Sequence, residues 1–265
     1  MAPERVLVRL PNWLGDAIMA RPLLHAVRSA WPHARVLGVG PEGPSAPLAE
    51  DGVLDERVAF PREAAARRAA FNQVARFAPQ LAFVLPASFS SAWLAWRSGA
   101  RTRIGFRGEW RDALLTHALA RRARGDQHLS DEFLALGAAV GLSEVAVPRL
   151  SPTASGRDEA ARALAAAGFA AGEGYVLIGP RSAYGPAREW FPGRFAEAGR
   201  AFVANGLRVV VSGTASETES CAAVASAVGS SAVSLAGRTS LPALVALAAG
   251  ARLALCNDSG LAHLA

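Results

Sequence analysis

Short apolar runs alternate with longer amphipathic stretches along this chain. Arg5–Arg9 (RVLVR), Arg35–Val39 and Arg57–Phe60 read as strands. Leu81–Leu85 (LAFVL) is apolar at every position, as expected of a parallel strand covered on both faces. Periodic stretches between them predict helices over about Asp16–Ala30, Arg62–Phe77 and Ser88–Arg97. A strand at Arg103–Phe106 and a helix at Leu129–Gly141, stopped by its glycine, follow. Val147–Thr153 (VPRLSPT) has two prolines and no period, and reads as a linker. After a helix at about Gly156–Ala167 the alternation restarts. Strands are expected at Tyr175–Gly179, Leu207–Ser212, Val233–Leu235 and Arg252–Cys256, with helices at Pro192–Ala204, Ser216–Val228 and Ser240–Ala249. This alternation predicts an α/β fold of two doubly wound, Rossmann-like units, residues 1–150 and 151–265, the second with four strands.

Composition narrows the function classes. Of 265 residues, 51% are hydrophobic and 19% charged, enough for a sizeable core and unlike a disordered chain. Two cysteines, Cys221 and Cys256, exclude a disulfide scaffold and any site held by four thiolates. The first residues carry no signal pattern. The uncharged window Phe77–Trp96 has the length of a membrane span, but Pro79, Gln80, Pro86 and its serines make it a strand, a turn and a helix. A cytoplasmic protein is expected. The net charge is +6, and every one of the 28 basic residues is arginine. That charge fits either an anionic partner or a solvated basic surface. The arginines thicken between Arg97 and Arg124. No basic repeat interleaved with aromatics appears, so no nucleic-acid partner is expected.

In open α/β sheets, ligands bind beyond the carboxyl ends of strands. Three loops in such positions are unusual. Pro11-Asn12-Trp13-Leu14-Gly15-Asp16 ends in an aspartate at a helix start, which is either an N-cap or a carboxylate offered as a general base. Gly179–Trp190 (GPRSAYGPAREW) is a long loop of small residues with Arg188 near its end; it is either a surface loop or a cradle for a diphosphate. Asn257–His263 (NDSGLAH) places Asp258, Ser259 and His263 about one helical turn apart, either as an ordinary cap or as a ligand site. The loop after the first strand holds no GxGxxG, no P-loop or GxSxG pattern occurs in the chain, and no His/Asp/Glu set has metal-ligand spacing.

Taken together and in order, RVLVRLPNWLGDAIMARPLLHAVR, RTRIGFRGEWR, GPRSAYGPAREWFPGRFAEAGR, VVVSGTASETES and LALCNDSGLAHLA resemble the ADP-heptose:lipopolysaccharide heptosyltransferases, over essentially the whole chain. The NWLGD and RTRIGFRGEWR segments look most like the heptosyltransferase II branch. The resemblance implies a GT-B architecture, two Rossmann-like domains with a cleft between them. It also implies an inverting, metal-independent transfer of heptose from ADP-heptose to the inner core of lipopolysaccharide, with no cofactor. Residue by residue, Asp16 matches the family's catalytic base. Ala183, Tyr184 and Arg188 fall in its donor phosphate loop, where the family usually has lysine at the place of Arg188 and glycine at that of Arg181. Glu217 matches an acidic position at the adenosine ribose, and Thr239 a residue near the adenine. Asp258, Ser259, Gly260 and His263 match an Asp-[Ser/Thr]-Gly-x-x-His motif around the donor.

The resemblance further implies a protein working at the cytoplasmic face of the inner membrane of a Gram-negative-type bacterium. Its arginine-rich first unit would meet a phosphorylated, lipid-linked acceptor there. Alternatives stay open at this point: heptosyltransferase I or another glycan acceptor, or a nucleotide-sugar-binding fragment without activity. An NAD-linked oxidoreductase is disfavoured by the lack of a GxGxxG after the first strand. Because family members run on past the equivalent of Ala265, the sequence is expected to be a C-terminally truncated form whose second unit is marginal and exposes an apolar sheet edge.

Overall fold

The structure is a computed structural model. It describes every residue except Met1, Arg62, Glu109, Arg124, Ala183 and Tyr184, and all side chains of the others except those of Ala49, Ala64, Ala65 and Pro186. The chain divides into two compact units, Met1–Arg149 and Leu150–Ala265.

In the first unit, β1 (Arg5–Arg9) leads into α1 (Leu14–Met19) and α2 (Arg21–Ala30). β2 (Arg35–Gly40), α3 (Glu42–Glu50), β3 (Glu56–Ala59), α4 (Ala64–Phe77), β4 (Leu81–Val84), α5 (Phe89–Arg97), β5 (Thr102–Phe106), β6 (His117–Leu119) and α6 (Leu129–Ala138) follow. The strands form one parallel six-stranded sheet in the order β3-β2-β1-β4-β5-β6. Alternate residues of the central strands serve opposite faces. Val6, Val8, Val36, Phe83 and Ile104 pack with Leu23, Leu24, Val27 and Leu136. Leu7, Leu37, Val39 and Val84 pack with Val74, Phe77 and Leu94. Burial on both faces is why LAFV reads as an unbroken apolar run.

The second unit runs α7 (Ala154–Ala166), β7 (Tyr175–Gly179), α8 (Pro192–Ala204), β8 (Arg208–Val211), α9 (Thr218–Val228), β9 (Ala232–Ser234), α10 (Leu241–Gly250), β10 (Leu253–Cys256) and α11 (Gly260–Leu264). Its parallel sheet has four strands in the order β10-β7-β8-β9. Val176, Ile178, Val209 and Val211 meet Phe195 and Val224 on one face; Leu177 and Val210 meet Phe169, Leu247 and Leu261 on the other. β10 is one edge of this sheet, and its Leu253 is exposed.

Three local expectations need correction. The helix expected over Asp16–Ala30 is two, because Pro22 enters the first turn of α2 and cannot continue the preceding turn. Asp16 is therefore not a cap: α1 already begins at Leu14, Trp13 holds the N-cap position, and Asp16 lies in the first helical turn. The sequence pattern also gave no sign of α3 or β6. Glu42–Glu50 carries Pro44 and Pro47 and looks like a loop. It is helical because Ser45 Oγ donates to the Pro41 carbonyl at 2.6 Å and Leu48 is driven fully into the core. β6 is three residues long and owes its strand form to its pairing with β5.

Candidate active site loops

Both sheets reverse their strand order once, and the unusual loops flank those reversals. In the second sheet the switch point lies between β7 and β10. The loop after β7 and the loop after β10 are laced together there. Asn257, buried at the end of β10, donates through Nδ2 to the Pro180 carbonyl at 2.8 Å, and its Oδ1 accepts the Trp190 N–H at 2.8 Å. Ser182 Oγ donates to the Asp258 carbonyl at 3.1 Å. Arg188 Nη1 donates to Asp258 Oδ2 at 2.9 Å. Gly179 allows the close seating of α11 on β7: a Cβ there would lie 2.7 Å from Leu261 Cδ2.

Arg181, which stands where glycine is usual in the resembled family, does not project freely. Its Nη1 donates to Glu189 Oε2 at 2.6 Å, and the other Glu189 oxygen accepts the Ser182 N–H at 3.0 Å. The largely buried Glu189 carboxylate thus ties the end of this segment back to its start at Arg181 and Ser182. Ala183 and Tyr184, expected in the donor loop, lie outside the described residues.

The remaining expected donor residues sit along the same sheet edge. Ser259 is at the N-cap position of α11 with no side-chain cap; burial raises the pKa of the nearby Cys256 thiol, a rise that Ser259 opposes. Gly260 opens α11, and His263 is half-buried in its last turn. Glu217 follows β8, with Oε2 accepting the Thr214 N–H at 2.7 Å in a capping box. Thr239 lies in the loop after β9. The loops after β8 and β9 touch: Gly237 N–H donates to the Gly213 carbonyl at 3.0 Å, and a Cβ on Gly237 would lie 2.9 Å from Ala215 Cα. Arg188 and Asp258 are brought into contact. Glu217 and Thr239 are brought to neighbouring loops.

In the first unit the switch point lies between β1 and β4. The loop after β1 carries Asp16, half-buried in the first turn of α1, where a carboxylate is favoured by the helix dipole. Two residues that sequence reasoning missed support these loops. Asn257 ties the second-unit loops; its only signal is its place directly after an apolar strand. Arg9 ends β1 and is 6% exposed. Its signal in RVLVR is a charged residue directly after an apolar run.

Among the described residues, His, Cys, Asp and Glu form no group of three suited to a metal ion, and no helix is long and apolar enough to cross a membrane.

A parallel sheet with loops of this kind on its carboxyl edge defines a ligand-binding α/β protein, and comparison with known proteins makes the class specific. Residues 67–265 match glycosyltransferase family 9 (heptosyltransferase). The chain belongs to that family and is a heptosyltransferase-type glycosyltransferase. It is 28% identical over 276 aligned residues to lipopolysaccharide heptosyltransferase 2 of Salmonella typhimurium, covering 98% of this chain and 79% of that protein. Its fold matches the structure of Escherichia coli ADP-heptose lps heptosyltransferase II with a TM-score of 0.84 and 25% identity, over 98% of this chain and 81% of that one. A family 9 glycosyl transferase from Veillonella parvula has a TM-score of 0.86 at 22% identity, over 98% and 77%. The two-unit, Rossmann-like GT-B fold expected from the sequence is thus the fold of this chain.

Proposed function

We propose that this protein transfers heptose from ADP-heptose to the inner core of lipopolysaccharide, inverting the anomeric carbon without a metal ion. The names of its relatives supply the donor and the acceptor class. The observation that supports the donor end is the Arg188–Asp258 pair at the β7/β10 switch point.

The chemistry asks for two things. A sugar hydroxyl is a poor nucleophile, so its proton must leave as it attacks; Asp16, at the first-unit switch point, takes it as general base. The leaving ADP gathers negative charge as the glycosidic bond breaks. Arg188 and helix-terminus N–H groups stabilise that charge. The anomeric carbon passes through an oxocarbenium-like state, attacked from the face opposite the diphosphate, so its configuration inverts. Glu217 holds the ribose and Thr239 lies by the adenine, while Asp258, Ser259, Gly260 and His263 surround the donor. Arg188 presents a planar fork where a lysine would present a point charge, which suits two diphosphate oxygens at once. The arginine-rich first unit would meet the phosphorylated acceptor and the anionic inner membrane face, so the protein works as a peripheral cytoplasmic enzyme.

The test is a transfer assay with ADP-heptose and inner-core lipopolysaccharide, run with and without EDTA, with the product anomer read by NMR. Transfer that survives EDTA and gives a product of opposite configuration to the donor supports the proposal. Retention, or loss of activity restored by a divalent cation, overturns the mechanism. Flotation with anionic but not neutral vesicles, weakened by salt, is the corresponding test of the membrane contact.

A further inference from the structure

Arg9 is a buried cation at the end of β1, directly after the apolar run Val6–Val8. Neutral groups surround its guanidinium. Nη1 donates to the Leu10 carbonyl and, at 3.3 Å, to that of Val39. Nη2 donates to Asn12 Oδ1 at 2.9 Å. The Phe60 ring lies under the guanidinium, its centroid 5.6 Å from Cζ. Nε is buried without an acceptor among the described residues. No carboxylate of the described residues lies within 4 Å.

This is a costly way to fill the slot. Burial alone pulls the guanidinium down to about 10, and an apolar side chain would avoid that cost. What the arginine adds is order in the segment just beyond it. The Val39 carbonyl takes both the Leu10 N–H, at 2.8 Å, and Arg9 Nη1. Gly40 is bare beside them: a Cβ there would lie 3.0 Å from Leu10 Cβ and 3.8 Å from Arg9 Nη1. The first residues after β1 are therefore held from beneath by one side chain, and four residues beyond Asn12 the chain reaches Asp16.

We infer that Arg9 is a positioning residue: gripping Leu10 and Asn12 from within the core, it sets the course of the loop that presents Asp16 to the acceptor. This rests on the reading of Asp16 as the base, while the grip itself is independent of it. A lysine could not make the same contacts, because one ammonium cannot span the Leu10 carbonyl and Asn12 Oδ1 as a planar fork does.

The test compares the parent chain with Arg9→Met, Arg9→Lys and the milder Asn12→Ala. Hydrogen exchange of residues 10–20 is followed by mass spectrometry, with residues 81–84 and 102–106 as internal controls. Transfer kinetics use ADP-heptose and inner-core lipopolysaccharide. Arg9→Met should speed exchange at 10–20 and leave the control strands protected. It should lower kcat by roughly ten- to a hundredfold, the scale of a misplaced catalytic group, with the KM for ADP-heptose unchanged. Asn12→Ala, which leaves the core intact, should move both readouts the same way by less, and Arg9→Lys should fall between parent and Arg9→Met. Parent-like exchange at 10–20 in both Arg9→Met and Asn12→Ala would overturn the inference, as would full activity of Arg9→Lys. If Asp16→Ala stays active, the base assignment fails, and the exchange of residues 10–20 still decides the role of Arg9.

Discussion

Arg188 and Asp258, seventy positions apart in the chain, meet at 2.9 Å where the second sheet reverses its strand order. The guanidinium is thus already held in place, on a partner it can exchange for a diphosphate. Arg188→Ala should weaken ADP binding by about 1.5–3 kcal/mol, the worth of a charged hydrogen bond. Isothermal calorimetry reads this as roughly a 10- to 150-fold rise in Kd. An unchanged affinity would place the phosphates elsewhere. The pair is partly exposed, so Asp258→Asn should alter folding stability by less than about 1 kcal/mol.

Asp16→Ala should abolish transfer and leave ADP binding intact, since Asp16 belongs to the first unit and the loops proposed to hold the donor belong to the second. Turnover and ADP calorimetry on the same preparation check this together. Near-normal turnover would remove Asp16 from the role of base.

Gly179→Ala should destabilise the second unit by about 1–3 kcal/mol, the usual cost of overpacking. The added methyl would press on Leu261, the buried residue of α11. Urea denaturation followed by fluorescence measures it; a parent-like midpoint would mean that α11 yields freely.

Glu159 ties α7 to α10, accepting the Ser240 hydroxyl at 2.6 Å and the Ser240 N–H at 2.7 Å. The side-chain bond, then the backbone bond, hold its carboxyl below the usual 4.5. The unfolded chain therefore takes up this proton first as pH falls. The stabilisation is full above the unfolded value and is lost as pH drops through the lower folded one. Glu159→Gln should lower Tm at pH 7, and the gap should close in acid below about pH 4. Thermal melts across that range test the sign; a gap that widens in acid would contradict it.

Much of the architecture was legible from local pattern. RVLVR, YVLIG and the helix at Pro192–Ala204 have the predicted bounds, because a buried parallel strand is apolar along its middle and a helix entered by proline announces its start. Ser88 and Ser240 cap their helices, one residue inside the expected bounds. The failures share a cause. Glu42–Glu50 is helical against its own prolines because Leu48 is buried, and His117–Leu119 is a strand because β5 offers an edge. Neither signal lies within the segment itself. For the donor loops, Arg188 and Asp258 were legible as motif positions; the bracing of Arg181 by Glu189 was not.

The sequence by itself determined the class of fold, the family motifs, and the residue types available for base and phosphate chemistry. The fold class follows from periodicity and the motifs are contiguous stretches that resemble those of a family; both are local properties of the chain. Tertiary structure alone decided the strand orders, and with them which loops share an edge. It also decided that Asn257 and Glu189 lace the loops after β7 and β10 and that Arg9 is buried beneath the loop that leads to Asp16. Such contacts join residues that only the packing of strands and helices brings together, so no local pattern could encode them.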